Sequence, residues 1–218
     1  MPPSRATAKA HDCKPVNHPN RPMPSNTCST KLGGMSAVAA YERLHEAIEE
    51  LRTAAESALA SDGELMSVLS VTEGVSRQLD YLTVSTTAAL QRRGTFAERG
   101  YRKPEGALTD LLGCDSYEAR RRVVAAEQAC EQIGLDGTVL PARLPATGKA
   151  FAAGQAGLRH VEVIAALLNT PEAGRITDWQ RAGLEEQLAG MAGEYSPGQL
   201  RKLGTQLLEA AGRRRSRA

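Results

Sequence analysis

Residues Gln91–Glu131 read QRRGTFAERGYRKPEGALTDLLGCDSYEARRRVVAAEQACE, and this stretch decides the fold. Pro104 suits a first helical position, because its φ is fixed and its missing N–H is not needed there. Ala107, Leu108, Leu111 and Leu112 follow on one face, and Gly113 is a natural terminator. A second helix starts at Asp115 or Ser116, with Glu118 in capping-box position after Asp115. Ala119, Val123, Ala126 and Cys130 form its inner face. Two helices joined by a tight turn have the form of a helix-turn-helix, whose second helix carries groove or phosphate contacts. Arg120, Arg121 and Arg122 stand where such contacts belong, and Arg99, Arg102 and Lys103 precede the first helix. The other reading is an ordinary packed helix pair. Nine residues after Gly113 stands Arg122, where the motif wants an apolar side chain; Val123 fits if the turn is one residue longer.

Working outward, the composition is helical. Hydrophobic residues make up 41% of the chain and aromatics only 4%, too few for a base-stacking platform on single strands. The net charge of +2 is unevenly spread. Residues 1–35 carry five Lys/Arg against Asp12, and residues 201–218 carry six against Glu209. The body, 36–200, holds 16 cations against 23 anions, a net −7. An acidic body confines any DNA contact to local basic patches. Those patches are the helix pair and the C-terminal Arg213, Arg214 and Arg215.

Upstream, two heptad seams stand in succession. Tyr41, Leu44, Ile48, Leu51, Ala55 and Ala58 recur at steps of three and four between Ser36 and Ala60. After the capping box Ser61–Glu64, Leu65, Val68, Thr72, Val75, Leu79, Leu82, Thr86 and Ala89 continue the step up to Gly94. The short connection predicts an antiparallel hairpin, the second helix about 40–45 Å long. The two seams satisfy each other or a second copy, so a homodimer is the alternative.

Downstream, 132–148 reads as a loop, with helices at Pro145–Ala153, Leu158–Leu168, Asp178–Met191 and from the Ser196-Pro197-Gly198-Gln199 cap to Gly212. Trp179, Ala182, Leu184, Leu188 and Met191 are the expected packing residues of the third, and Glu185-Glu186 its solvated face. His160, in a first turn, reads as a core or helix-surface histidine bonded to backbone. The chain is therefore all-α: a long antiparallel helical hairpin followed by a bundle of shorter helices that includes the helix-turn-helix-like pair. It divides into a disordered basic tail over 1–35, one domain over 36–212, and a basic tail over 213–218.

Residues 1–34 are Pro-, Ser-, Thr- and Asn-rich and too poor in apolar side chains to order themselves. Their His11, Cys13, His18 and Cys28 match no zinc spacing, and Met35 is expected to be the true start. The four cysteines form no CxxC pair, no apolar run has transmembrane length, and no secretory signal is present. A reduced, cytoplasmic setting is expected. No GxxxxGK[ST], GxGxxG, GxSxG or HExxH occurs, and no nucleophile, base and orienting group assemble. No catalytic, cofactor, metal or small-molecule site is expected.

The succession LQRRGTFAERGYRKPEGALTDLLGCDSYEARRRVVAAE, LPATGKAFAAGQAGLRHVEVIAALL and EYSPGQLRKLGTQLL resembles the domain-of-unknown-function 222, or 13E12 repeat, family, found mainly in actinobacteria. The resemblance covers about residues 36–212. Members usually place Ile/Leu and Ser/Thr ahead of the matching Leu-x-x-His; Ala156 and Gly157 stand there here, so the N-cap hydroxyl is absent. The family typically continues into an HNH endonuclease domain that hydrolyses DNA. The resemblance thus implies a helical partner region of such a protein, with no catalytic residue to carry over. The expected function is non-enzymatic engagement of double-stranded DNA; the alternatives are an interaction or dimerisation module, or an inactive relic.

Overall fold

The structure is a computed structural model that describes residues 36–57, 59–134 and 136–215. The chain divides into two units, residues 1–53 and 54–218, each described by itself. The tail over 1–35, with its four zinc-ligand candidates and Met35, lies outside the described residues.

Most of the first unit's described part is α1, Ala37–Glu56. The Ser36 hydroxyl accepts the Ala39 N–H at its start. No residue of this helix is buried.

The second unit begins with α2, Asp62–Arg92, which starts where the capping box predicts. The Ser61 hydroxyl accepts from the Glu64 N–H, while the Glu64 carboxylate accepts from the Ser61 N–H at 2.7 Å. Gly94, in the left-handed region, turns the chain into the one-turn helix α3, Thr95–Glu98. Then come α4, Pro104–Leu112, and α5, Ser116–Ala129, bounded as the sequence indicates. Gly113 adopts φ 64°, a conformation a side chain would strain, and its N–H returns to the Thr109 carbonyl. Leu111 and Leu112 depart from the expected face: Ala107 and Leu108 are buried, but the last turn of α4 overhangs its partner and stays exposed.

Within the segment expected to be loop, β1 (Gln132–Ile133) pairs antiparallel with β2 (Val139–Leu140). Gly137, at φ 82°, supplies the positive φ that this tight hairpin requires. The bundle closes with α6 (Pro145–Ala152), α7 (Leu158–Leu168), a 3-10 turn (Ala173–Arg175), α8 (Asp178–Met191) and α9 (Pro197–Arg215). Gly212 does not end α9, because no residue there takes the left-handed conformation a glycine cap provides. Arg213, Arg214 and Arg215 therefore belong to the helix. Among the described residues the fold is all-α but for the two-residue strands, and no helix is long and apolar enough to cross a membrane.

Two clusters hold this unit together. The larger joins the second half of α2 to α5 through α9, around Val84, Phe151, Ile164, Leu168, Leu188 and Leu200. Each large side chain so buried contributes roughly 1.5–3 kcal/mol. The Tyr81 ring meets Phe151 edge-on at 5.5 Å. The smaller cluster, Phe96, Ala107, Leu108, Ala119 and Val123, seats α3 and α4 on the start of α5. Gly148 lets α6 cross α5 closely; a Cβ there would sit 2.4 Å from the Ala129 carbonyl oxygen.

One expectation about a packing face is corrected, and α2 adds a face that was not expected. Along α2 the residues buried in this unit are Val84, Thr87 and Ala88, while the heptad seam, with Leu82 60% exposed, stays out of that core. On α8, Trp179 is 83% exposed and Ala182 is exposed, whereas Leu184, Glu185, Leu188 and Ala189 face inward. Glu185 is thus no solvated residue. Its carboxylate accepts from the Thr147 N–H at 2.6 Å, the Thr147 hydroxyl at 2.7 Å and the Ala146 N–H at 3.3 Å. Leu144, at the N-cap of α6, has no side-chain acceptor, and a carboxylate from α8 supplies one.

Candidate functional site

The helix pair has the form expected of it. The Asp115 carboxylate accepts the Glu118 N–H at 2.8 Å and starts α5. Val123, not Arg122, takes the buried position, as the longer turn requires. The Glu118 side chain does not return to the cap. It turns along α5 to Arg121, 3.0 Å away, and Arg122, 3.3 Å away.

The consecutive arginines therefore have different fates. Arg120 is exposed. Arg121 lies half-buried between α5 and α7, with Nε 3.1 Å from Glu162 and its guanidinium 4.3 Å above the Tyr117 ring. Burial works against its charge, yet Tyr117, Glu118 and Glu162 outweigh it and hold the guanidinium above the ordinary arginine range. The buried Nε atoms of Arg121 and Arg122 make no aligned hydrogen bond although carboxylates stand within ion-pair distance. Through Nε the attraction is accordingly Coulombic, while Arg121 adds a directional bond from Nη1 to the Glu118 carboxylate at 3.0 Å. Arg159 also pairs with Glu162, which makes one network of three arginines and two glutamates.

This network borders a cleft of about 490 Å³ between α2, α5, the start of α7 and the α8–α9 connection. On its α2 wall Arg77 binds Glu73 at 2.8 Å and donates to the Gln155 carbonyl at 2.8 Å. Burial pushes the Asp80 carboxyl above its ordinary value, against the pull of Arg122. His160, 5% exposed, forms the opposite wall. Its Nδ1 accepts the Gly157 N–H at 3.1 Å, so the proton rests on Nε2, which donates to the Tyr195 carbonyl at 2.9 Å. The imidazole thereby replaces the hydroxyl missing at Gly157 and ties the start of α7 to the segment before α9. Burial holds His160 below the ordinary histidine value, and Arg77 acts in the same direction, while the Tyr195 carbonyl and Glu73 oppose.

Arg99, Arg102 and Lys103 are exposed on the connection between α3 and α4. None of the ion pairs among the described residues engages these three or Arg120. The structure thus seats Arg99, Arg102, Lys103 and Arg120 on or beside the small α3–α5 cluster and turns Arg121 and Arg122 into its junction with α2 and α7. Arg213, Arg214 and Arg215 end α9, away from that cluster in sequence. Sequence reasoning missed the network; the Glu118 spacing to Arg121 and Arg122 was visible, but Glu162 was not.

The DUF222 family, described as a domain of unknown function, has a model that matches residues 66–217. The uncharacterised protein Rv1128c of Mycobacterium tuberculosis strain H37Rv is 31% identical over 180 residues, which cover 77% of this chain and 38% of that protein. Protein MT1160 of strain CDC 1551 is 31% identical over 180 residues, covering 77% of this chain and 41% of the relative. Protein Mb1179c of Mycobacterium bovis is 36% identical over 103 residues, 47% of this chain and 22% of the relative. The chain spans less than half the length of these curated relatives. No solved structure matches. With most of the second unit, from α2 to α9, inside the matched segment, the chain belongs to the DUF222 family.

Proposed function

We propose that this chain is a cytoplasmic, non-catalytic helical module that engages double-stranded DNA through α3, α4 and the start of α5, on behalf of an HNH-endonuclease-type protein. One observation carries the reading. Arg99, Arg102, Lys103 and Arg120 stand exposed and, among the described residues, without carboxylate partners, although the surrounding body is acidic. Cations left unpaired in such a body are placed to neutralise phosphates, which supply most of the affinity in sequence-independent contact. The helix pair joined at Gly113 supports a duplex partner over a single strand, and the few aromatics point the same way. Arg121 and Arg122 are assigned to holding α5 in place. Arg213, Arg214 and Arg215 add a second basic segment for non-specific attraction. The nuclease association rests on family resemblance.

Fluorescence anisotropy of a labelled duplex of about 20 base pairs at low salt tests this. The wild-type chain binds, and changing Arg99, Arg102, Lys103 and Arg120 together to Glu weakens binding at least tenfold with the helical circular dichroism unchanged. Equal affinity in the variant removes this surface from the account.

A further inference from the structure

The long helix α2 has two faces, and the second unit buries only one of them. At about 100° per residue, Arg77, Tyr81, Val84, Thr87, Ala88 and Gln91 lie together and turn toward the bundle. The heptad seam Leu65, Val68, Thr72, Val75, Leu79, Leu82, Thr86 and Ala89 lies on the opposite side. None of these eight residues is buried, and Leu69, on the flank between the seam and the inward face and beyond the bundle's reach, is 72% exposed. Leu65, Leu69, Val71, Leu79 and Leu82 leave uncovered on the order of 500 Å² of apolar surface, as large as the biggest patch a monomer usually tolerates.

We propose that this seam binds a second copy of the same chain, with the two α2 helices antiparallel and crossing near residue 77. Three features select this occupant. The residues flanking the seam are Leu69, Val71, Ser76, Gln78, Thr83 and Ser85, so between Glu64 and its far end the seam carries no flanking charge. Two identical faces therefore meet without repulsion, whereas a charged partner would find nothing complementary. The side chains also match in size when the chains run in opposite directions. Leu65 meets Ala89, Val68 meets Thr86, Thr72 meets Leu82, and Val75 meets Leu79, each larger group facing a smaller one or one of similar bulk. A parallel pair would instead stack Thr72 on Thr72 and Thr86 on Thr86. Finally, the patch with its polar flanks approaches the ~800 Å² per partner of a stable interface. The inference does not depend on DNA binding, since the seam and the exposed cations share no residue.

Sedimentation equilibrium of the full chain tests it. The expected result is a dimer at tens of micromolar, with Leu82→Asp and, separately, Leu69→Asp raising the dissociation constant at least tenfold while helical content stays unchanged. A wild-type monomer at about 100 micromolar overturns the proposal, and so does a dimer indifferent to both substitutions. Loss of helix content in the two variants also overturns it, because the seam would then be covered from within the same chain. Introduced together, Thr72→Cys and Leu82→Cys should cross-link two chains; cross-linking as efficient through Thr72→Cys alone would refute the antiparallel register.

Discussion

The junction of α2, α5 and α7 and the rim formed by α3, α4 and Arg120 are built from the same kind of residue and use it in opposite ways. At the junction Arg77, Arg121, Arg122 and Arg159 each meet a carboxylate, and partial burial spares the pairs that Arg121 and Arg122 make with Glu118 some of the screening that water imposes. On the rim Arg99, Arg102, Lys103 and Arg120 meet none among the described residues. A run of arginines is therefore no unit of function. In Arg120-Arg121-Arg122 the helical step of 100° divides neighbours between solvent and interior, and what waits on each side decides their roles.

The largest effect that separates junction from rim is predicted where α2 turns inward. Val84→Asp buries an unpaired carboxylate at a site with no solvent exposure and should cost more than about 4 kcal/mol, read as loss of the cooperative thermal transition. Next comes Glu118→Ala, which strips Arg121 of one partner and leaves Arg122 without its ion pair. A loss of about 1–3 kcal/mol in urea denaturation is expected, held down by the partial exposure of these side chains. Arg99→Glu and Arg102→Glu should stay within about 0.5 kcal/mol in the same assay. A rim substitution as costly as Glu118→Ala would erase the distinction.

The smallest effect follows from His160. Its folded value is depressed, so the unfolded chain binds the proton more readily and folding favours the neutral ring. The associated stability is complete above the ordinary histidine value of about 6.5 and is lost as pH falls from there through the lower folded value. Thermal midpoints between pH 7.5 and 5 should fall accordingly, and His160→Gln should remove that part of the slope. A slope unchanged by His160→Gln would detach the ring from the junction.

What was legible in the sequence was local. Pro104, Gly113, Asp115, and the Ser61–Glu64 and Ser196–Gln199 boxes each act within four residues, and the helices begin where they stand. That His160 bonds to backbone was legible for the same reason, since its partner Gly157 is three residues away, whereas its burial was not. Groups that work over long separations were not. Glu185 caps a helix 38 residues earlier, and nothing near it distinguishes it from Glu186. The inward face of α2 was not legible for a physical reason: the seam's leucines outweigh the Tyr81, Val84, Thr87, Ala88 face, yet that smaller face fits α5 and α6 closely. Apolar weight marked the seam, and packing decided which surface this unit consumes. Gly212 misled because a glycine ends a helix only when its backbone turns left-handed, and here it does not.

The division of charge is tested most directly by the salt dependence of duplex binding. If Arg99, Arg102, Lys103 and Arg120 meet phosphates, the logarithm of the association constant falls with the logarithm of salt concentration with a slope of about −3 to −4 from these four, and their joint change to Glu removes that slope. A slope that the variant leaves intact, or binding indifferent to salt, would contradict the account.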